Sequence, residues 1–126
     1  MNAVRDVFLC LSDPLRVRCL ALMGARGDLC LCQLAAATGE SRTDLMAQLA
    51  VLVGAGLVEA HHCGPWMLYR LTRSTPAWVC QSVAAAVLYG KESPDFFADI
   101  ERLRIFGPRP DPRAYQQPFC LARVRA

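Results

Sequence analysis

The sequence predicts a mainly α-helical chain that carries one β-hairpin, and three observations support that expectation. Apolar residues recur at helical spacing through six segments, and glycines or Ser/Asp/Pro clusters separate those segments. One stretch, residues 57–71, switches to aromatic and β-favouring composition around a Gly-Pro turn.

Each element has its own signal. Val4, Val7, Phe8 and Leu11 share one face of a helix over residues 2–11. Ser12-Asp13-Pro14 supplies a cap and an early proline for a second helix over residues 14–23. This helix is expected to bury Leu15, Cys19 and Leu22, with Leu20 at the flank, and to close at Gly24 and Gly27. Asp28 opens a third helix, residues 29–38, ended by Gly39. Ser41 with Asp44 three positions on is a loose capping box for a fourth, residues 42–53, with Leu45, Leu49 and Leu52 inward and Gly54 and Gly56 as stops. Residues 57–61 read as a strand, 62–65 as a turn and 66–71 as the returning strand. Pro76 begins a helix ended by Gly90, and Pro94 begins the last one, residues 95–105. Four prolines (108, 110, 112 and 118) keep the remainder irregular or extended. Two helices joined by a short Gly-containing turn and followed by a hairpin make a winged helix-turn-helix, a DNA-binding arrangement. The alternative on pattern alone is a helical bundle whose hairpin binds protein. The expected division is a DNA-binding and dimerisation domain over residues 1–106 and a Pro/Arg-rich tail over 107–126.

Composition sets the bounds. With 54% hydrophobic and 20% charged residues in 126, the chain can bury a core, and one domain is expected. A monomer this small leaves apolar surface for a dimer interface. The most apolar stretch, residues 77–88, is short of the roughly 18 residues a membrane span needs. Arg5, Asp6 and the Ser12-Asp13-Pro14 break argue against a signal peptide, so a cytoplasmic protein with no membrane partner is expected. Seven cysteines, an odd number, then point to metal binding, redox sensing or core packing rather than disulfides. The net charge of +3 is compatible with nucleic acid. From Arg102 onward six arginines (102, 104, 109, 113, 123 and 125) face one acidic residue, Asp111, which suits either phosphate contact or a solvated tail.

A helix in the major groove reads base edges with its exposed N-terminal side chains. That set here is Ser41, Arg42, Thr43, Met46, Ala47 and Gln48. Arg42 suits guanine or a phosphate, Gln48 suits adenine, and Ser41 and Thr43 suit phosphates. The wing adds His61 and His62, with Arg70 at its base. Ser41 also reads as a helix cap and Arg70 as an ion-pair partner. Cys30 and Cys32 stand at the start of the third helix. Residues two apart on a regular helix differ by about 200° and cannot face one ligand, whereas a distorted first turn allows it. A helix N-terminus favours the thiolate, and a thiolate pair selects soft ions. Ion binding there would bend the helix that leads into the reading helix.

Five segments in this order and spacing resemble the ArsR/SmtB family of metal- and metalloid-responsive repressors, its arsenic-responsive type above all. They are Leu11-Ser12-Asp13-Pro14-Leu15-Arg16-Val17-Arg18, Asp28-Leu29-Cys30-Leu31-Cys32-Gln33-Leu34, LAVLVGAGLV at 49–58, WMLYRL at 66–71 and Thr75-Pro76-Ala77-Trp78. The likeness covers residues 5–90. It implies a homodimer on double-stranded operator DNA, with the helix after Thr75 in the dimer interface. It also implies release by As(III) or Sb(III) held on three thiolates. Two positions depart from the family pattern. Met46-Ala47-Gln48 stands where members often carry Ser-Arg-His, and Ala35 stands where the third sulfur is expected.

Five further cysteines could supply that third sulfur. Cys10 and Cys19 fall on apolar helix faces, Cys80 is expected to be packed, and Cys63 reads as a free thiol at the wing tip. Cys120 in the tail is the candidate, so the expected ligand set is Cys30, Cys32 and Cys120. A mono-organic arsenical or Hg(II) would need only Cys30 and Cys32. His61-His62-Cys63 is a poor zinc site, because adjacent residues seldom converge on one ion. The expected function is a repressor released by a thiophilic ion. Cd/Pb/Zn/Hg-responsive and redox-responsive repressors are the alternatives within the fold. Outside it the alternative is a protein-interaction module with degenerate DNA binding. An enzyme is not expected, since both histidines sit together on the wing and no Gly-rich phosphate loop follows any cysteine.

Overall fold

The computed structural model describes residues 3–108. In chain order its elements are α1 (Val4–Leu11), α2 (Pro14–Arg26), β1 (Leu29–Cys30), α3 (Leu31–Thr38), α4 (Arg42–Gly54), β2 (Val58–Cys63), β3 (Trp66–Leu71), α5 (Ala77–Glu92) and α6 (Pro94–Phe106). The architecture is a winged helix-turn-helix, with α3 and α4 as the helical pair and β2 and β3 as the wing.

The helix starts follow from capping chemistry. The Asp13 carboxylate accepts from the N–H groups of Leu15 (2.9 Å) and Arg16 (3.2 Å), satisfying donors that the first turn of α2 leaves unpaired. Ser41 Oγ accepts from Asp44 N–H at 3.1 Å, and Ser93 Oγ accepts from Asp95 N–H at 3.2 Å. Gly39 closes α3 with φ 76°, a left-handed conformation that a side chain would resist, and so sets the turn into α4.

The three strands pair antiparallel in the order β1-β3-β2. Cys63 faces Trp66 in the register, which leaves Gly64-Pro65 as a two-residue loop. Gly64 at φ 60° occupies the first loop position, where a type II′ turn demands glycine. The wing strand therefore runs two residues past the expected end at 61. The core is leucine-rich: Leu20, Leu22, Leu31, Leu34, Leu45, Leu49, Leu52, Leu57 and Leu68 are fully buried around α2.

Three local expectations change. Residues 29–30 are a strand rather than the first turn of a helix, because the open edge of β3 pairs Leu29 with Tyr69 and Cys30 with Leu68. Leu20 is fully buried and Leu15 only partly, because α2 packs against α5, α6, β3, α3, α4 and α1 and so has no free flank. Gly24 and Gly90 do not stop helices; both lie inside them. A Cβ on Gly90 would stand 2.9 Å from Ala21 Cβ, and one on Gly24 would stand 2.8 Å from Val87 Cγ1. These glycines let α2 and α5 pack closely.

Candidate functional site

Helix α4, expected to read DNA, packs Leu45, Leu49 and Leu52 inward, as its spacing predicts. Ser41, Thr43 and Ala47 are exposed; Arg42, Met46 and Gln48 are half-buried. Ser41 is occupied as the N-cap. Gln48 is held from α2, because Arg16 Nη1 donates to its Oε1 at 2.6 Å. The guanidinium of Arg16 is pinned in turn on the last carbonyls of α1: Nε donates to Cys10 O at 2.9 Å and Nη2 to Leu9 O at 3.1 Å. Sequence reasoning missed this link, since its partners lie up to 32 positions apart and follow no local spacing.

On the wing, His62 is exposed near the tip, and His61 is half-buried. His61 Nε2 lies 3.4 Å from Asp28 Oδ2, so the ring turns toward the segment entering β1. Arg70 Nε donates to Glu59 Oε1 at 2.8 Å across β2 and β3, the ion-pair role anticipated beside its DNA-contact role. The hydrogen bond to Glu59 holds the guanidinium more firmly charged than usual.

Cys30 and Cys32 sit where β1 ends and α3 begins. Cys30 is the N-cap, with extended backbone (φ −90°, ψ 169°), and Cys32 is the second residue of the helix. The helical 200° argument therefore does not apply to the pair, because Cys30 is not on the helix. Both residues are shielded, at 0% and 2% exposure. Cys30 N–H donates to Gln33 Oε1 at 3.0 Å, and Gln33 Nε2 donates to Gly107 O at 3.5 Å, so the junction also touches the end of α6.

The other end of α3 carries a cluster the sequence did not announce. Arg18 Nε and Nη2 donate to the two oxygens of Asp99 at 2.9 and 2.8 Å, and Nη2 also donates to Thr38 O at 2.8 Å. Arg102 donates to Asp99 Oδ1 and to Ala37 O, both at 2.8 Å. Asp99 is 1% exposed. The hydrogen bond to Asp99 raises the Arg18 pKa, so this cation is fixed. Arg102 and Arg104 of the C-terminal arginines lie on α6. Arg102 faces Asp99, and Arg104 pairs with Glu101 on the surface of α6.

The remaining thiols divide by burial. Cys10 and Cys19 are buried as expected, and burial pushes Cys19 up to about 12. Cys63 is exposed. Cys80 is exposed in the single chain, with Sγ 2.8 Å from Thr75 Oγ1. Cys10 and Arg16 stand in Cys-x5-Arg spacing, a form shared with phosphatase nucleophiles. Here burial raises the Cys10 pKa and Arg16 is spent on carbonyls, so the spacing builds no nucleophile. Among the described residues no group of three His, Cys, Asp or Glu side chains could hold a metal ion, and none of the helices is long and apolar enough to cross a membrane. Cys120 lies outside the described residues.

Comparison with known proteins agrees with this geometry. The family model described as bacterial regulatory protein, arsR family, matches residues 13–60, from the cap of α2 into the wing. The arsenic resistance transcriptional regulator ArsR1 of Pseudomonas putida is 36% identical over 106 residues, covering 82% of this chain and 80% of its own length. ArsR2 of the same organism is 38% identical over 74 residues, 59% of this chain and 64% of its own. The arsenical resistance operon repressor of Escherichia coli is 32% identical over 81 residues, 64% of this chain and 69% of its own. A winged helix-turn-helix with this extent of likeness to such regulators places the chain in the arsR family of bacterial regulatory proteins.

Proposed function

We propose that this chain is a cytoplasmic, homodimeric repressor of operator DNA that lets go when a thiophilic ion binds Cys30 and Cys32. The inducer is trivalent arsenic or antimony, or an organoarsenical. The observation that carries this reading is the place of the two thiols, one on each side of the β1–α3 junction at the entry to the helix-turn-helix. The three relatives named above are arsenic-resistance regulators, which supports the choice of inducer.

Because both thiols are buried, a ligand reaches them only by opening the first turn of α3. The far end of α3 stays clamped by Arg18 and Arg102, so the helix tilts about that end and changes its packing against α4. To move the protein from 1:99 to 99:1 in favour of the released form, the ion must bind that form about 10⁴-fold more tightly. Coordination by soft thiolates is strong enough to do so. Cys120 is the proposed third thiolate; a mono-organic arsenical needs only Cys30 and Cys32. Operator contacts are assigned to Ser41, Arg42, Thr43, Met46, Ala47 and Gln48, with His61, His62 and Arg70 from the wing. The second copy docks on the exposed apolar residues of the packed helices α1 and α5, among them Val4, Phe8, Leu88 and Tyr89.

The test is fluorescence-monitored release of a labelled operator duplex against As(III), methyl-As(III), Sb(III), Cd(II), Zn(II) and Hg(II). Release by As(III) or Sb(III) is expected for the native chain and is lost in Cys30→Ser and Cys32→Ser. Cys120→Ser loses release by inorganic As(III) but keeps release by methyl-As(III). Unchanged release in both Cys30→Ser and Cys32→Ser would make the pair merely structural. Combined Arg42→Ala and Gln48→Ala abolishes specific binding with the fold intact; a gel shift with unchanged affinity would remove α4 from the reading role.

A further inference from the structure

Arg16 belongs to the first turn of α2, yet its guanidinium is fixed from two sides. Two of its nitrogens donate to the closing carbonyls of α1, Cys10 O and Leu9 O, and the third, Nη1, donates across to Gln48 Oε1 on α4. The side chain is only 16% exposed, and Asp13 Oδ2 lies 4.0 Å from Nη1. A guanidinium has five donors and no acceptor, so the Gln48 amide must turn its oxygen, not its nitrogen, toward Arg16. The amide nitrogen, with its two donors, is then the end left for a DNA groove.

That orientation changes what Gln48 reads. A free glutamine pairs with adenine by donating to N7 and accepting from N6, and the second bond needs the amide oxygen. The bond to Arg16 turns the amide oxygen toward α2, so its remaining lone pair is poorly placed for adenine N6 and the two amide donors lead. Guanine presents two neighbouring acceptors, N7 and O6, whereas adenine presents one acceptor and one donor. Resting on the reading of α4 as the DNA-reading helix, we propose that Arg16 is a specificity-determining positioning residue that converts Gln48 from an adenine reader into a guanine reader. Arg16 does so without touching DNA, and the expectation that Gln48 reads adenine is revised accordingly.

The experiment selects an operator from random duplexes with the native full-length chain. It then varies that operator one base pair at a time and measures the affinity of the native chain and of Gln48→Ala, Gln48→Glu and Arg16→Met. The base pair whose preference disappears in Gln48→Ala is the one Gln48 reads. There the native chain favours guanine over adenine by about tenfold. Arg16→Met frees the amide and moves the preference to adenine. Gln48→Glu keeps an acceptor for Arg16 but has no donor, so it folds and loses the guanine preference. A native preference for adenine at that base pair overturns the proposal. So does an Arg16→Met chain that weakens binding to all four bases equally, and so does Gln48→Glu retaining the guanine preference, which also decides the matter if Arg16→Met does not fold. If no base pair responds to Gln48→Ala, the reading of α4 falls and the proposal falls with it. A responding base pair that prefers adenine removes the proposal alone.

Discussion

At its C-terminal end α3 is held by charge; at its N-terminal end it is held by packing and two paired residues. The carbonyls of Ala37 and Thr38 accept from Arg102 and Arg18, and both cations share the buried Asp99. Arginines at a helix C-terminus also meet the negative end of its dipole. The other end is capped by Cys30, whose backbone is extended. Leu29 and Cys30 pair with Tyr69 and Leu68, and Gln33 Oε1 accepts from Cys30 N–H. On the proposed reading, this difference lets the eight-residue helix act as a lever. One end resists displacement because moving it uncovers a buried carboxylate. On the same reading the other end opens by giving up the two-residue pairing of β1 with β3, and that end holds the thiols.

The largest effect should come from the charged end. Asp99→Leu leaves Arg18 and Arg102 without a counter-charge and is expected to lower unfolding free energy by about 3–5 kcal/mol, read from urea denaturation. A loss below about 1 kcal/mol would break the contrast between the two ends.

The thiol end sharpens the contrast through two similar substitutions. Cys32→Ser buries a hydroxyl at the second position of α3 and is expected to cost about 1–3 kcal/mol. Cys30→Ser puts a favoured capping residue at the N-cap, which offsets most of that loss, so its urea midpoint stays near that of the native chain. Equal losses in the two variants would contradict the capping geometry.

Thiol labelling at pH 8 should then rank the cysteines by how much structure must open. Cys63 reacts first because it is exposed on the wing. Cys30 and Cys32 follow through local opening of the junction. Cys19 reacts only on global unfolding, since burial holds its thiol at about 12 against an ordinary 9.0. The sign of the linkage is that stability from this thiol is complete below pH 9 and is lost as pH rises toward about 12. Cys30 labelling as slowly as Cys19 would mean that the junction does not open locally. The smallest effect belongs to Glu101→Gln, where the pair with Arg104 is fully on the surface and no measurable change in the urea midpoint is expected.

Much of this was legible in the sequence because it depends on near neighbours. Asp13-Pro14, Ser41 with Asp44, and Ser93-Pro94 each cap a helix a few residues away, and Gly64-Pro65 turns the wing locally. The thiol pair was legible for the same reason. What was not legible depends on distant partners. Strand β1 forms only because β3 offers a free edge nearly 40 positions later. Gly90 reads as a stop until Ala21 and Val17 are seen beside it. Arg18 and Asp99, 81 positions apart, carry no local pattern, and Arg102 looked like part of a basic tail until Asp99 was placed against it. Gln48 was singled out as a reading residue, but its orientation depends on Arg16, from a different helix.

The lever itself is tested most directly by hydrogen exchange of the operator-bound protein before and after As(III) is added. Amides at residues 29–34 should change their exchange, while those at residues 37–39, beside the Arg18–Asp99–Arg102 cluster, keep theirs. Exchange that changes equally at both ends of α3, or only at the C-terminal end, would contradict a helix that opens at its thiols and is anchored by its arginines.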